Sequence, residues 1–219
     1  MPHIKIARKS TDTDMTPFVD IAFLILSFFI MATKFKPPEP VEIQTPNSVS
    51  ADILKEENAM LITIDGKNRV FLNISSPKDG ALIDQMIQGI STSRNLNLTP
   101  AQIANFRRSP IIGVPFNQLG GLLNLDPADQ NPERQPGIPV LDSLNNEMVW
   151  WISEAKKAFA GKKLNYLIKG DNGSKYPTFE AVINALKRNE EFKFNLVTSQ
   201  EGAPEGTELY IERRRGGKK

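Results

Sequence analysis

The sequence predicts an α+β protein made of one N-terminal transmembrane helix, a proline-rich linker and a small α/β sandwich domain with a long insertion. Three observations carry this. From Phe18 to Thr33 the chain is apolar almost without a break. From Leu61 onward, strand-like alternation gives way to helix-like spacing and returns to alternation. The whole chain of 219 residues is nevertheless only 40% hydrophobic, with a mean hydropathy of −0.31, so most of it must face water.

Composition removes several kinds of chemistry. There is no cysteine, which excludes thiolate catalysis, disulfides and cysteine metal sites. His3 is the only histidine, which excludes a histidine triad or a multi-histidine metal site. The 27 basic and 25 acidic residues leave a net charge of +2, giving no general attraction to nucleic acid. No nucleophile–base pairing, metal spacing or phosphate loop occurs, so neither enzyme activity nor a metal or cofactor is expected. Asp171-Asn172-Gly173 reads as turn chemistry before it reads as a calcium site.

Three structures compete for the apolar run: a cleaved signal peptide, a buried core helix and a transmembrane helix. Cleavage after Ala32 would put Ile30 at the −3 position, where a small residue is required. A core helix of a soluble domain carries a polar stripe, and this run has none. A helix rises about 1.5 Å per residue and the hydrocarbon core is about 30 Å thick, so a span needs roughly 20 residues. Ile21 to Phe35 supplies only about 22 Å. The span must therefore reach back to Met15, which places it at 15–35 with Thr16 as cap and Pro17 at the first helical position.

That span encloses Asp20. An aspartate in a first helical turn gains about 0.3–1 kcal/mol from the macrodipole, which is the plain explanation. Against it, an ionised carboxylate at helix centre costs about 2.5–3.5 kcal/mol on insertion scales, and such residues mark ion or proton pathways. Desolvation moves a carboxyl toward neutral pKa values, where it can load and unload a proton. Asp20, Ser27 and Lys34 recur at seven-residue steps on one helix face. Ser27, and Thr16 at the helix start, are candidate supports for a proton path, although back-bonding to its own helix is the commoner role of a lone serine. A single span cannot shield a carboxylate from lipid, so a partner is required. Basic residues lie on both sides (Lys5, Arg8 and Lys9 before, Lys34 and Lys36 after) and leave orientation open.

After the span, Lys36-Pro37-Pro38-Glu39-Pro40 opens a linker over 36–50 with extended, semi-rigid character. Leu61–Ile64, a turn at Asp65-Gly66-Lys67-Asn68 and Val70–Ile74 read as a β-hairpin. Met148, Trp151, Ile152, Ala155 and Phe159 predict an amphipathic helix over 146–160 whose aromatic residues form core. Leu164–Ile168 reads as a strand, Pro177–Arg188 as a helix, Phe192–Thr198 as a strand and Glu208–Glu212 as a last strand. The basic tail 213–219 reads as a solvated end.

The stretch from Asp14-Met15-Thr16-Pro17-Phe18-Val19-Asp20 through Ile21–Met31 resembles the signature of the ExbD/TolR family. Leu167-Ile168-Lys169-Gly170-Asp171, Lys175–Phe179 and Leu196-Val197-Thr198 resemble its C-terminal block. The resemblance implies that Asp20 is the proton-coupling residue, and that protons are the only coupling species. It implies that two such subunits sit as a homodimer inside an ExbB/TolQ-like membrane pentamer. It also implies inner-membrane localisation: 1–14 cytoplasmic, 15–35 spanning, 36–50 a periplasmic linker and 51–212 a periplasmic domain. The implied function is to couple the proton-motive force to a TonB-like partner serving outer-membrane transport. A TolR-like role with a Tol/Pal envelope system stays open, as does a bitopic anchor for a cell-wall-binding domain without ion coupling.

Against shorter relatives, residues 75–144 look like an insertion. Leu82, Ile83, Met86, Ile87 and Ile90 predict one short helix, and Thr99-Pro100 caps a second over Ala101–Arg107. The Pro-, Gly- and Asn-rich stretch Val114–Val140 is expected to be a loop. The apolar residues in and just before it, Ile111, Ile112, Val114, Phe116, Leu119, Leu122, Leu123 and Leu125, must pack on the domain or on a partner.

Overall fold

Behind Pro17 the sequence has no glycine or further proline until residue 37, and the computed structural model of the chain forms helix α1 there, over Thr16–Ala32. The structure describes residues 15–32, 40–48, 58–76 and 78–200. The chain divides into two units, Met1–Glu39 and Pro40–Lys219. In the first unit α1 has 17 residues, about 25 Å of helix. Among the described residues no helix is long and apolar enough to cross a membrane. Residues 33–35, which complete the expected span, lie outside the described residues, as do the tail 213–219 and the expected strand Glu208–Glu212.

The second unit starts with residues expected to be free linker. Gln44 and Asn47–Ser48 are instead bonded to the domain. The Gln44 N–H donates to Asp171 Oδ2 at 2.8 Å, and the Asn172 N–H donates to the Gln44 carbonyl at 2.9 Å. Beyond them, β1 (Asn47–Ser48) pairs in parallel with β6 (Ser199–Gln200). Asp171 also accepts the Gly173 N–H through Oδ1 at 2.7 Å, the Asx-turn expected of this tripeptide.

The expected hairpin forms as β2 (Ala59–Ile64) and β3 (Val70–Ser75). Asp65 organises its turn by accepting the Lys67 and Arg69 N–H groups through Oδ1. Next to β2 lies β4 (Asn165–Gly170) in parallel, then β5 (Phe194–Val197), so the sheet order is β3-β2-β4-β5. Alternate β2 residues, Met60, Ile62 and Ile64, enter the core with Tyr166 and Ile168 of β4. The helix α6 (Tyr176–Arg188) joins β4 to β5 and buries Val182, Ala185 and Leu186 in the same core. This is the α/β sandwich that the alternation predicts.

The insertion forms a large share of that core. It folds into α2 (Gly80–Ser93), α3 (Pro100–Arg108) and α4 (Phe116–Leu123), followed by single 3-10 turns at Pro127–Asp129 and Pro132–Arg134. Thr99 caps α3 in a reciprocal capping box with Gln102. The expectation of a loop over Val114–Val140 is wrong at α4, where Phe116, Leu119 and Leu123 are buried despite Gly120 and Gly121. Tertiary burial outweighs the roughly 1 kcal/mol helix penalty of each glycine. The helix α5 (Glu147–Ala158), capped by Asn146, follows. Its Trp151 is fully buried between Phe106, stacked at 5.7 Å, and Phe116, tilted at 5.3 Å. Most apolar residues of the insertion thus pack on their own domain, with Leu125, Leu141 and Leu144 left exposed.

The insertion also adds to the sheet. Leu72 of β3 and Ile112 exchange both backbone hydrogen bonds, at 2.7 and 2.8 Å, and the Ile138 N–H donates to the Val70 carbonyl at 2.8 Å. Gly113 crosses directly over the Phe71 ring, leaving no room for a Cβ. Arg69, paired with Asp65 at 2.7 Å, donates to the Glu133 and Gln135 carbonyls at 3.0 Å.

Candidate functional site

Among the residues expected to act, Thr16 begins α1, Asp20 lies beyond its first turn, and Ser27 follows seven residues later. No acidic residue occupies the first turn, so the macrodipole explanation for Asp20 loses its geometric basis. Thr16 and Asp20, four residues apart, share a helix face. Asp20 and Ser27 are separated by about 10 Å along the axis, so the structure does not bring them into contact. The Ser27 hydroxyl donates to the Leu24 carbonyl at 2.9 Å, the back-bonding expected of a lone helical serine.

What distinguishes α1 is its surface. None of its residues is buried, and Phe18, Phe23, Leu24, Phe28 and Ile30 are each exposed over more than half their area. Only Thr16, Asp20 and Ser27 interrupt the apolar surface. Such a helix suits an apolar medium or a covering partner, and in either setting Asp20 is its one ionisable group.

The domain contains ionisable groups that sequence reasoning missed. Glu147, in the first turn of α5, is buried and accepts the Phe116 N–H at 2.9 Å through Oε2. Burial raises its pKa above the ordinary carboxylate range, while the Phe116 hydrogen bond and the charge of Arg94 oppose that rise. Arg94, Phe116 and Glu147 come from three separate elements, and no local pattern links them. Tyr166 is buried on β4, and burial followed by the charge of Glu191 raises its hydroxyl pKa, so it acts as a neutral core residue. Among the described residues no cluster of three or more His, Cys, Asp or Glu side chains is arranged to hold a metal ion.

An apolar helix with a lone carboxylate, followed by an α/β domain, defines a class of bipartite proteins. The family model for biopolymer transport protein ExbD/TolR matches residues 7–201. The chain belongs to the ExbD/TolR family. That family functions with ExbB/TolQ-type partners, and the match covers the ExbD and TolR branches alike. No curated protein and no solved structure matches the chain.

Proposed function

We propose that this chain is an energising subunit of a biopolymer transport system, in which α1 lies in the inner membrane and Asp20 exchanges protons. The observation that carries the reading is a single carboxylate on a helix whose every other face is apolar and uncovered. With 17 residues, α1 stands at the lower end of the roughly 17–25 needed for a span, and local thinning of the bilayer accommodates such a helix at modest cost. An ExbB/TolQ-like ring supplies the walls that keep Asp20 from lipid. Moving one charge through 100 mV yields about 2.3 kcal/mol, which does work when the protonated and ionised states differ in how the helix sits in the ring.

In this reading the chain makes and breaks no covalent bonds and uses protons as its only coupling species. The domain is periplasmic, and it delivers the movement to a TonB-like partner. The test compares Asp20→Asn and Asp20→Glu with the wild type in gradient-dependent transport, after co-purification shows that each assembles with its ring. Asparagine is expected to assemble and abolish transport, with glutamate retaining part of it. Normal transport by Asp20→Asn would reduce α1 to an anchor and move the function into the domain.

A further inference from the structure

On the insertion side of the domain, a cavity of about 510 Å³ opens between the end of α2 and the starts of α4 and α5. Its volume falls within the range of small-ligand sites, roughly 300–1,000 Å³. The local sequence fixes how Arg94 enters it. Asn95 adopts a positive φ of 53°, the Leu96 N–H donates to the Ser91 carbonyl at 2.9 Å, and the Asn95 N–H donates to Thr92. This is the Schellman arrangement that ends a helix and turns the chain away. Arg94, the residue before the turn, is held at the rim.

Its guanidinium lies over the exposed Trp150 ring at 4.6 Å and over the Phe116 ring at 5.4 Å. The two aromatic rings engage its faces and orient it. Among the described residues it forms no ion pair and no side-chain hydrogen bond, although Glu147 deeper in the cavity feels its charge. The N–H edges of an oriented guanidinium form a fork that matches a carboxylate. Asn95, Asn117 and Asn145, all exposed, line the same cavity. Each primary amide can both donate to and accept from a peptide bond.

We propose that this cavity binds the carboxylate of a peptide segment, with the carboxylate on Arg94 and the adjoining peptide groups on the asparagine side chains. One guanidinium facing one partly compensated glutamate suits a singly charged anion better than a doubly charged phosphate. The site lies wholly within the domain and does not depend on α1 entering a membrane.

The test uses the full chain in detergent micelles and follows the Trp150 indole NMR signal during titration with three short peptides. One is N-acetylated with a free C-terminal carboxylate, one is its C-terminal amide, and one is blocked at both ends and contains a single glutamate. At least one carboxylate peptide is expected to bind about tenfold or more tighter than the neutral amide, and comparing the two identifies the source of the carboxylate. Arg94→Gln should remove that preference, Arg94→Lys should leave it intermediate, and Arg134→Gln, outside the cavity, should not change it. If Arg94→Gln fails to fold, Asn117→Ala on the exposed side of α4 should weaken the same binding several-fold. Equal binding of the amide, unchanged binding by Arg94→Gln, or a response only to an uncharged oligosaccharide control would overturn the assignment.

Discussion

Two helices of this chain, α1 and α5, have aromatic and aliphatic content in common and opposite fates. The first buries none of its residues. The second buries Met148, Trp151, Ile152, Ala155 and Ala158, with Lys156 and Lys157 in its last turn. The difference is one of pattern more than of apolar content. In α5 the apolar residues gather on one side, where the chain covers them with its own α2 and α6 and with Phe106 of α3 and Phe116 of α4. The two glutamates buried beside them each have a hydrogen-bonding partner. In α1 apolar residues surround the axis, and no single packing partner within the chain could cover them all. An all-round apolar helix depends on its surroundings for burial, whereas an amphipathic one finds burial within the fold.

This contrast predicts effects that separate cleanly. The largest is Trp151→Ala, which removes the ring between Phe106 and Phe116 and should cost about 3–5 kcal/mol in denaturant unfolding of the domain. Leu24→Ala on α1 should leave the same unfolding curve unchanged. A large shift with Leu24→Ala would remove the contrast. Glu147→Ala should cost about 1–3 kcal/mol, because it leaves the buried Phe116 N–H without an acceptor.

Glu147→Gln sharpens the comparison differently. A carboxyl whose folded pKa is raised binds its proton more tightly folded than unfolded, so stability falls as pH rises from the ordinary glutamate value of 4.5 through the folded pKa. The glutamine keeps an acceptor for Phe116 but does not titrate. Thermal unfolding of Glu147→Gln should therefore lose this pH slope and be no less stable than wild type at neutral pH. The smallest effect is Thr99→Ala, which breaks the capping box of α3 and should cost about 1 kcal/mol by the same measurement.

Much of the domain was legible because its signals are local. Alternation around Asp65-Gly66 predicts the hairpin, the spacing of Met148, Trp151, Ile152 and Ala155 predicts α5, and Thr99-Pro100 predicts the start of α3. Long-range packing hid the rest. The glycines of α4 signal a break, and only the burial of Phe116, Leu119 and Leu123 overrides them. The two-residue strands β1 and β6 are too short to leave a periodic trace, so the ordered stretch from Pro40 reads as linker. Asp20 stands out in sequence as a charge within an apolar run. Arg94 and Glu147 do not, because Arg94 is an ordinary helix-end cation until the fold brings Trp150 and Phe116 beneath it.

The bridge between Leu72 and Ile112 bears on how copies of this chain can associate. A sheet with two open margins is a template for unlimited addition, each new strand exposing another like it. Here the β3 margin is already occupied by the chain's own insertion, with Ile138 extending the cover at Val70. A further strand could pair at Val70 and Leu72 only by displacing those bonds, so among the described residues this stretch of the margin is protected from edge-to-edge addition.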